Sequence, residues 1–474
     1  MTRKKLSISD KTVRMARAFR LRYLRWQNRH VPENIVLILI AIIIGILTGI
    51  AAAVLKRLVM LFNDLILLGV HMESFNIRFL IWPLVGILLT SIFQRYVVKG
   101  NLSQGTRIIR QDLDSRHYRL KPTVIFNSLL GCSLTMGLGA SGGTEGPTAL
   151  SGSAIASNVG QWFGLSRSWL RLLVGIGAGA GISAIFKSPI GGVLFTLEVL
   201  QMELTSLSVL ALIISCLFAS ATAFFLSDFT FDIFFIKQMP MDPHTLGWVA
   251  LLGLFCGLYS IYYNYTKNYA MKLFEAIKNP WVGAVVTGLV LSVCIFMFPA
   301  LFGEGFGLIT SLVNDAPVSL NSSGIFADKS GVLWTFIALG AILLLKGVLV
   351  SASCGNGGVA GDFVPTFFAG GIAGFLFATL VNHFCGLHLP VWYFSLIGMG
   401  CVMAGSIHAP LMAIFILCET TNTFAYIFPY LLAISVCYAT VKIITPKSWY
   451  GSMGHDDIMA LLQDKQEHSL KSKL

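Results

Sequence analysis

Eleven long apolar stretches joined by short polar segments decide the solvent in which this chain folds. They run over residues 34–55, 79–98, 122–138, 170–186, 207–226, 246–263, 281–301, 333–350, 364–381, 393–418 and 425–444. Of the 474 residues, 55% are hydrophobic and 12% charged, and the mean hydropathy is +0.76. An ordinary soluble domain of this length does not approach such values. Stretches of this length and character are expected to be bilayer-spanning helices, which makes the chain an all-α polytopic membrane protein. Several are short or interrupted by glycine, so some are not expected to cross completely.

Charge orients the chain. The net charge is +12, and ten Lys/Arg between Arg3 and Arg29 face a single acid, Asp10. This run stops just before the first apolar stretch, as a positive-inside anchor does, and is not read as a nucleic-acid arm. Residues 1–33 are therefore expected to be cytoplasmic. No cleavable signal precedes the first stretch, so an uncleaved first helix is expected to insert. The nine cysteines show no C-x-x-C spacing and are read as small buried hydrophobes. No cofactor or metal is implied.

Two polar breaks carry the functional information. Ser141-Gly-Gly-Thr-Glu-Gly-Pro-Thr148 and Gly357-Gly-Val-Ala-Gly-Asp-Phe-Val-Pro-Thr366 are both glycine-rich, both end in Pro-Thr and both open an apolar helix. They belong to an internal repeat. Residues 184–198 match 405–419, each running from a proline (Pro189, Pro410) to a glutamate (Glu198, Glu419). The separation from Pro147 to Pro189 is 42 residues, and from Pro365 to Pro410 it is 45. Halves of about 34–226 and 246–450 follow, with a boundary in the loop between residues 226 and 246. The residues alone leave parallel and inverted arrangements both open.

Backbone that leaves helical geometry within a membrane lines a cavity or is buried in protein. A glycine-rich turn entering a helix presents free N–H groups backed by the positive end of the helix dipole. Two such termini meeting at mid-membrane make an anion site that holds its ion weakly enough to release it. Neither break contains Lys or Arg. Glu145 then sits beside the site as a tethered competitor when ionised, and is expected to withdraw when protonated.

Gly-x-Glu-Gly-Pro in the first half, Gly-x-Phe-x-Pro in the second, the Pro189 to Glu198 segment and the late aromatic pair Trp449-Tyr450 together resemble the CLC family of chloride channels and proton/chloride exchangers. The resemblance spans roughly residues 35–452. It implies two inverted helical halves with broken, tilted helices, and a homodimer with one pore per subunit. By the same resemblance Glu145 is the gating glutamate, Phe363 and Tyr450 contact the central anion, and the N–H groups of Thr144, Gly146 and Val364 form the outer site. Ser103 stands near the place of a coordinating serine, although the usual Gly-Ser-Gly-x-Pro-Glu loop is replaced by Gly100-Asn-Leu-Ser-Gln-Gly-Thr106. Thr144 replaces the family's arginine, Asp362 an apolar residue, and Val199 the internal proton-transfer acid of many exchangers.

The expected function is glutamate-gated chloride transport with proton exchange, and a passive pH- or voltage-gated chloride channel is the alternative that Val199 favours. Chloride and protons are the expected cargo. Two other readings were weighed. Gly139-Ala-Ser-Gly142 with His408 resembles an intramembrane protease, and Glu198, Glu304 and Glu419 are candidate ligands of a cation-coupled transporter, against which stands a structural role satisfied by backbone donors. A fluoride exporter is disfavoured by Pro147 and the polar Ser103 region. The compact length and short tail, residues 451–474, look bacterial, which places the chain in an inner (plasma) membrane with both termini cytoplasmic.

Overall fold

The computed structural model describes residues 32–67, 77–115, 118–227, 243–313 and 332–446. The boundary loop, the basic N-terminal run and Tyr450 lie outside them. The first half contains α1 (Glu33–Leu67), α2 (Arg78–Phe93), α3 (Gly105–Asp114), α4 (Thr123–Gly137), α5 (Glu145–Trp162), α6 (Arg167–Phe186), α7 (Pro189–Leu194) and α8 (Ser206–Leu226). The second contains α9 (Leu246–Glu275), α10 (Pro280–Met297), α11 (Phe306–Val313), α12 (Val332–Cys354), α13 (Phe363–Cys385), α14 (Val391–Ile407), α15 (Pro410–Thr421) and α16 (Ile427–Ile444). Nine helices among the described residues are long and apolar enough to cross a bilayer. The protein is an integral, multi-pass membrane protein.

The helices divide into inner and outer sets. In α6 and α13 the most apolar window is 83% and 78% buried in protein, against 33% in α2 and in the segment carrying α16. A helix that is apolar all round and covered by protein belongs to the core, whereas one with an uncovered apolar face is bathed in lipid. The inner helices approach closely because glycine removes the side chain at their crossings. On α5 and α6, a Cβ at Gly152 or Gly177 would strike the other's carbonyl oxygen, and Gly370 and Gly398 repeat this between α13 and α14. Such contacts between small residues let helices associate where lipid offers no hydrophobic drive.

The repeat is visible in the backbone. α6 ends at Lys187 (φ 54°) and α14 at His408 (φ 62°), and a proline-initiated helix follows each, α7 and α15. The apolar stretch 393–418 is thus two helices, because the left-handed His408 and then Pro410 stop the first and start the second. α5 and α13 begin at equivalent positions and meet N-terminus to N-terminus, so they enter from opposite sides and the halves are inverted. At their meeting point Gly143 and Gly361 exchange both backbone hydrogen bonds, at 3.0 and 2.6 Å, forming one antiparallel bridge. The same relation recurs between α7 and α15. Glu198 accepts from the N–H groups of Leu411 and Met412, at 3.2 and 2.8 Å, while Glu419 accepts from those of Ile190 and Gly191, at 3.2 and 3.0 Å. Glu419 also accepts from the Ser188 hydroxyl.

Candidate anion site

The first turn of α13 has N–H groups with no intrahelical acceptor. Pro365 in that turn needs none, and Phe363 and Val364 offer theirs to the break in the first half. Both point at one atom. Glu145 Oε1 accepts from the Phe363 N–H at 2.5 Å and from the Val364 N–H at 3.3 Å. Glu145 is 0% exposed, and its Oε2 has no hydrogen-bond partner among the described residues. Two donors at a helix N-terminus, aimed at one oxygen in a dry site, form an anion-binding geometry, and a side-chain carboxylate of the chain itself fills it.

The surrounding structure holds these parts rigidly. The Phe363 ring is fully buried and packs 5.8 Å from that of Phe195, centroid to centroid. Phe195 opens a π-turn, Phe195–Val199, that continues α7. Such single-turn widenings are frequent at functional sites. Val199, at the place where the resemblance puts an internal acid, is buried, and its carbonyl accepts from Arg110 of α3 at 3.3 Å.

The remaining expected residues are distributed unevenly. Gly146 lines a small cavity of about 30 Å³ beside Gly361 and Asp362. Ser103 lines a larger cavity of about 340 Å³ that also carries Gln94, Arg95, Lys99, Asn356 and Gly357. Its hydroxyl and its N–H both donate to Asn101 Oδ1. Cys354 lines both cavities. The Thr144 N–H and hydroxyl donate to Glu304 Oε1 at 3.2 and 2.7 Å. Asp362, immediately before Phe363, makes no capping bond to its helix. Its carboxylate instead accepts from Lys267 Nζ of α9 at 2.7 Å.

Sequence reading missed two lysines. Neither break contains a basic residue, but Lys267 and Lys346 reach the breaks from other helices. Lys346 is 0% exposed, lies 4.4 Å from the Phe368 ring and donates to Ser141 Oγ at 2.8 Å. Ser353 donates to the Ser141 carbonyl at 3.0 Å. For Lys346, within the stretch 333–350, the signal was available, since a lysine inside an apolar stretch is costly enough to be presumed partnered or functional. Ser141 thus has Lys346 as its partner, while His408 Nε2 lies 3.3 Å from the Thr445 carbonyl. Glu198 and Glu419 hold the helix N-termini described above. Of the nine cysteines, seven are buried, Cys294 is half-buried and Cys385 is exposed, so Cys385 departs from the reading of all nine as interior residues.

Inverted helical halves that meet at backbone donors closed by a single carboxylate define an inverted-repeat membrane transport protein. The chain belongs to the CLC family, since residues 85–442 match the family described as "Voltage gated chloride channel". It is 28% identical over 350 residues to a putative chloride channel protein, ClcB-like, of Ralstonia nicotianae, covering 70% of this chain and 75% of the relative. It is 26% identical over 329 residues to the H(+)/Cl(-) exchange transporter ClcA of Vibrio cholerae, covering 67% of this chain and 65% of the relative. The crystal structure of a slow cyanobacterial Cl-/H+ antiporter superposes with a TM-score of 0.75 at 21% identity, covering 89% of this chain and 98% of that one. That likeness bears on the fold.

Proposed function

We propose that this protein carries chloride across a membrane in exchange for protons, with Glu145 as the gate. The observation that carries the reading is the Glu145 carboxylate seated on the Phe363 and Val364 N–H groups. An anion and this carboxylate compete for the same donors. Protonation of Glu145 weakens its hold on them and admits the anion, so each exchange of occupants is tied to a proton. Phe363, Val364 and Gly146 supply the donors of the route, and by the family resemblance Ser103 and Tyr450 coordinate the anion with their hydroxyl groups. Thr144 acts as an anchor for Glu304 rather than as an anion ligand. A homodimer with one route per subunit, in a bacterial inner membrane with cytoplasmic termini, completes the proposal.

Val199 favours a second reading, a passive chloride channel, because no acid stands there to feed protons to Glu145. Purified protein in liposomes under a chloride gradient, with chloride and proton flux recorded together, separates the two. Exchange predicts uphill proton movement driven by chloride. Chloride efflux without it selects the channel, and no chloride flux at all removes both.

A further inference from the structure

The cavity beside Glu145 carries positive charge that neither break supplies. Its lining includes Lys267 and Asn268 from α9, Gln104, Thr106 and Arg107 from the start of α3, and Asp362. Lys267 is only 5% exposed, and its ammonium lies 2.7 Å from the Asp362 carboxylate and 5.9 Å from the Tyr263 ring centroid. The space, about 30 Å³, suits one small occupant. Its lining combines charged and polar side chains with apolar surface, and it includes Asn268, whose buried Oδ1 has no hydrogen-bond partner among the described residues. Gly146 and Gly361, neighbours of Glu145 and Phe363 in sequence, close one side.

A fixed ammonium on an anion route is a trap. In a medium of low dielectric its attraction is large, and a conducting site must bind weakly enough to let its ion leave. Asp362 removes this difficulty by being the residue before the Phe363 donor and by contacting the ammonium directly. A buried pair of this kind is weak evidence for stability, because desolvation offsets much of the attraction between its members. Its position on the route gives it another use.

We propose that the Lys267–Asp362 pair sets how tightly this protein holds its anion. Lys267 is the cation that a small monovalent anion meets in the cavity, and Asp362 is the built-in counter-charge that keeps the hold weak. The inference rests on the anion route proposed above and adds to it two specificity-determining residues that act in opposite senses.

That opposition is the test. Chloride binding to purified protein is measured by titration calorimetry and chloride efflux from liposomes, for wild type, Lys267→Met, Asp362→Asn and the double variant. Asp362→Asn is expected to tighten chloride binding about tenfold or more and to slow efflux at saturating chloride, because the ammonium keeps its charge and loses its counter-ion. Lys267→Met is expected to loosen binding by about tenfold, and the double variant to return within about threefold of wild type. A merely structural pair would shift both single variants in the same direction, and that result overturns the inference, as does unchanged affinity in both. If a single variant does not fold, the double variant decides: affinity near wild type supports the assignment, and a shift beyond about tenfold ends it. Wild-type protein that neither binds nor conducts chloride removes the transport reading itself, and this inference with it. A conducting wild type whose single variants shift together removes the inference alone.

Discussion

The chain brings carboxylates to helix N-termini at two junctions between its halves, and the two are built differently. Between α7 and α15 the arrangement is symmetric. Glu198 takes two N–H groups of the second half and Glu419 takes the equivalent two of the first. Between α5 and α13 the repeat is broken, because Glu145 and Phe363 hold equivalent positions and only one is an acid. Glu145 receives two donors on one oxygen and keeps its other oxygen without a partner among the described residues, while the acid that takes the Thr144 N–H at the start of α5 is Glu304, which does not stand at the repeat-equivalent position. A symmetric pair of caps satisfies both helix ends and gains nothing by moving. A lone acid on donors that suit any anion is replaceable. Under the proposed function, one junction is architecture and the other is the gate, although the local chemistry of each bond is the same.

The sharpest way to break this contrast is to neutralise one acid at each junction. Glu145→Gln keeps the shape and removes the charge. Coupled proton flux is expected to fall at least about tenfold while chloride flux persists, and the rise of flux with acidity is expected to vanish. The sign follows from competition, since acid weakens the wild-type carboxylate's hold and the glutamine has no such step. Glu419→Gln retains an acceptor oxygen and is expected to leave coupling unchanged. Loss of coupling in Glu419→Gln, or its survival in Glu145→Gln, would erase the distinction between the junctions.

Stability should divide the other way. Glu198→Ala and Glu419→Ala each strip two backbone donors of their acceptor, which costs about 1.5–3 kcal/mol by the worth of charge-assisted hydrogen bonds. Glu419→Ala also leaves the Ser188 hydroxyl without its acceptor, so its drop in thermal unfolding midpoint in detergent is expected to be the larger. A larger drop in Glu198→Ala would mean that the symmetry of the backbone hydrogen bonds is not shared by the energetics.

Much of this layout is legible in the chain. The breaks, the Pro-to-Glu segments and the order of the halves are local patterns, and they placed Glu145 at a helix start before any geometry was known. What the pattern could not carry was pairing at long range. Ser141 and Lys346 are 205 residues apart and Lys267 and Asp362 are 95 apart, and no periodicity encodes which buried lysine meets which acid. α3 and α11 were missed as helices because both are short, without the long apolar run that marks a membrane span. Tight backbone contacts such as Gly143 on Gly361 depend on two segments folding against each other, which glycine content permits but does not specify.

The smallest expected effect tests whether the lone acid has a hidden partner. Glu304 accepts from the hydroxyl and N–H of Thr144, the residue before Glu145. Thr144→Val removes the hydroxyl and preserves shape and N–H, so about 0.5–1.5 kcal/mol of stability is at stake. If Glu304 is only the anchor of the first break, proton coupling survives and chloride affinity stays within about threefold of wild type. If coupling falls as it does in Glu145→Gln, Glu304 shares the proton, the gate is a pair of acids, and the junction's asymmetry is greater than the repeat alone displays. Measuring proton and chloride flux together on this one conservative variant decides between a single gating acid and two, since loss of stability alone changes the amount of folded protein without changing the ratio of the two fluxes.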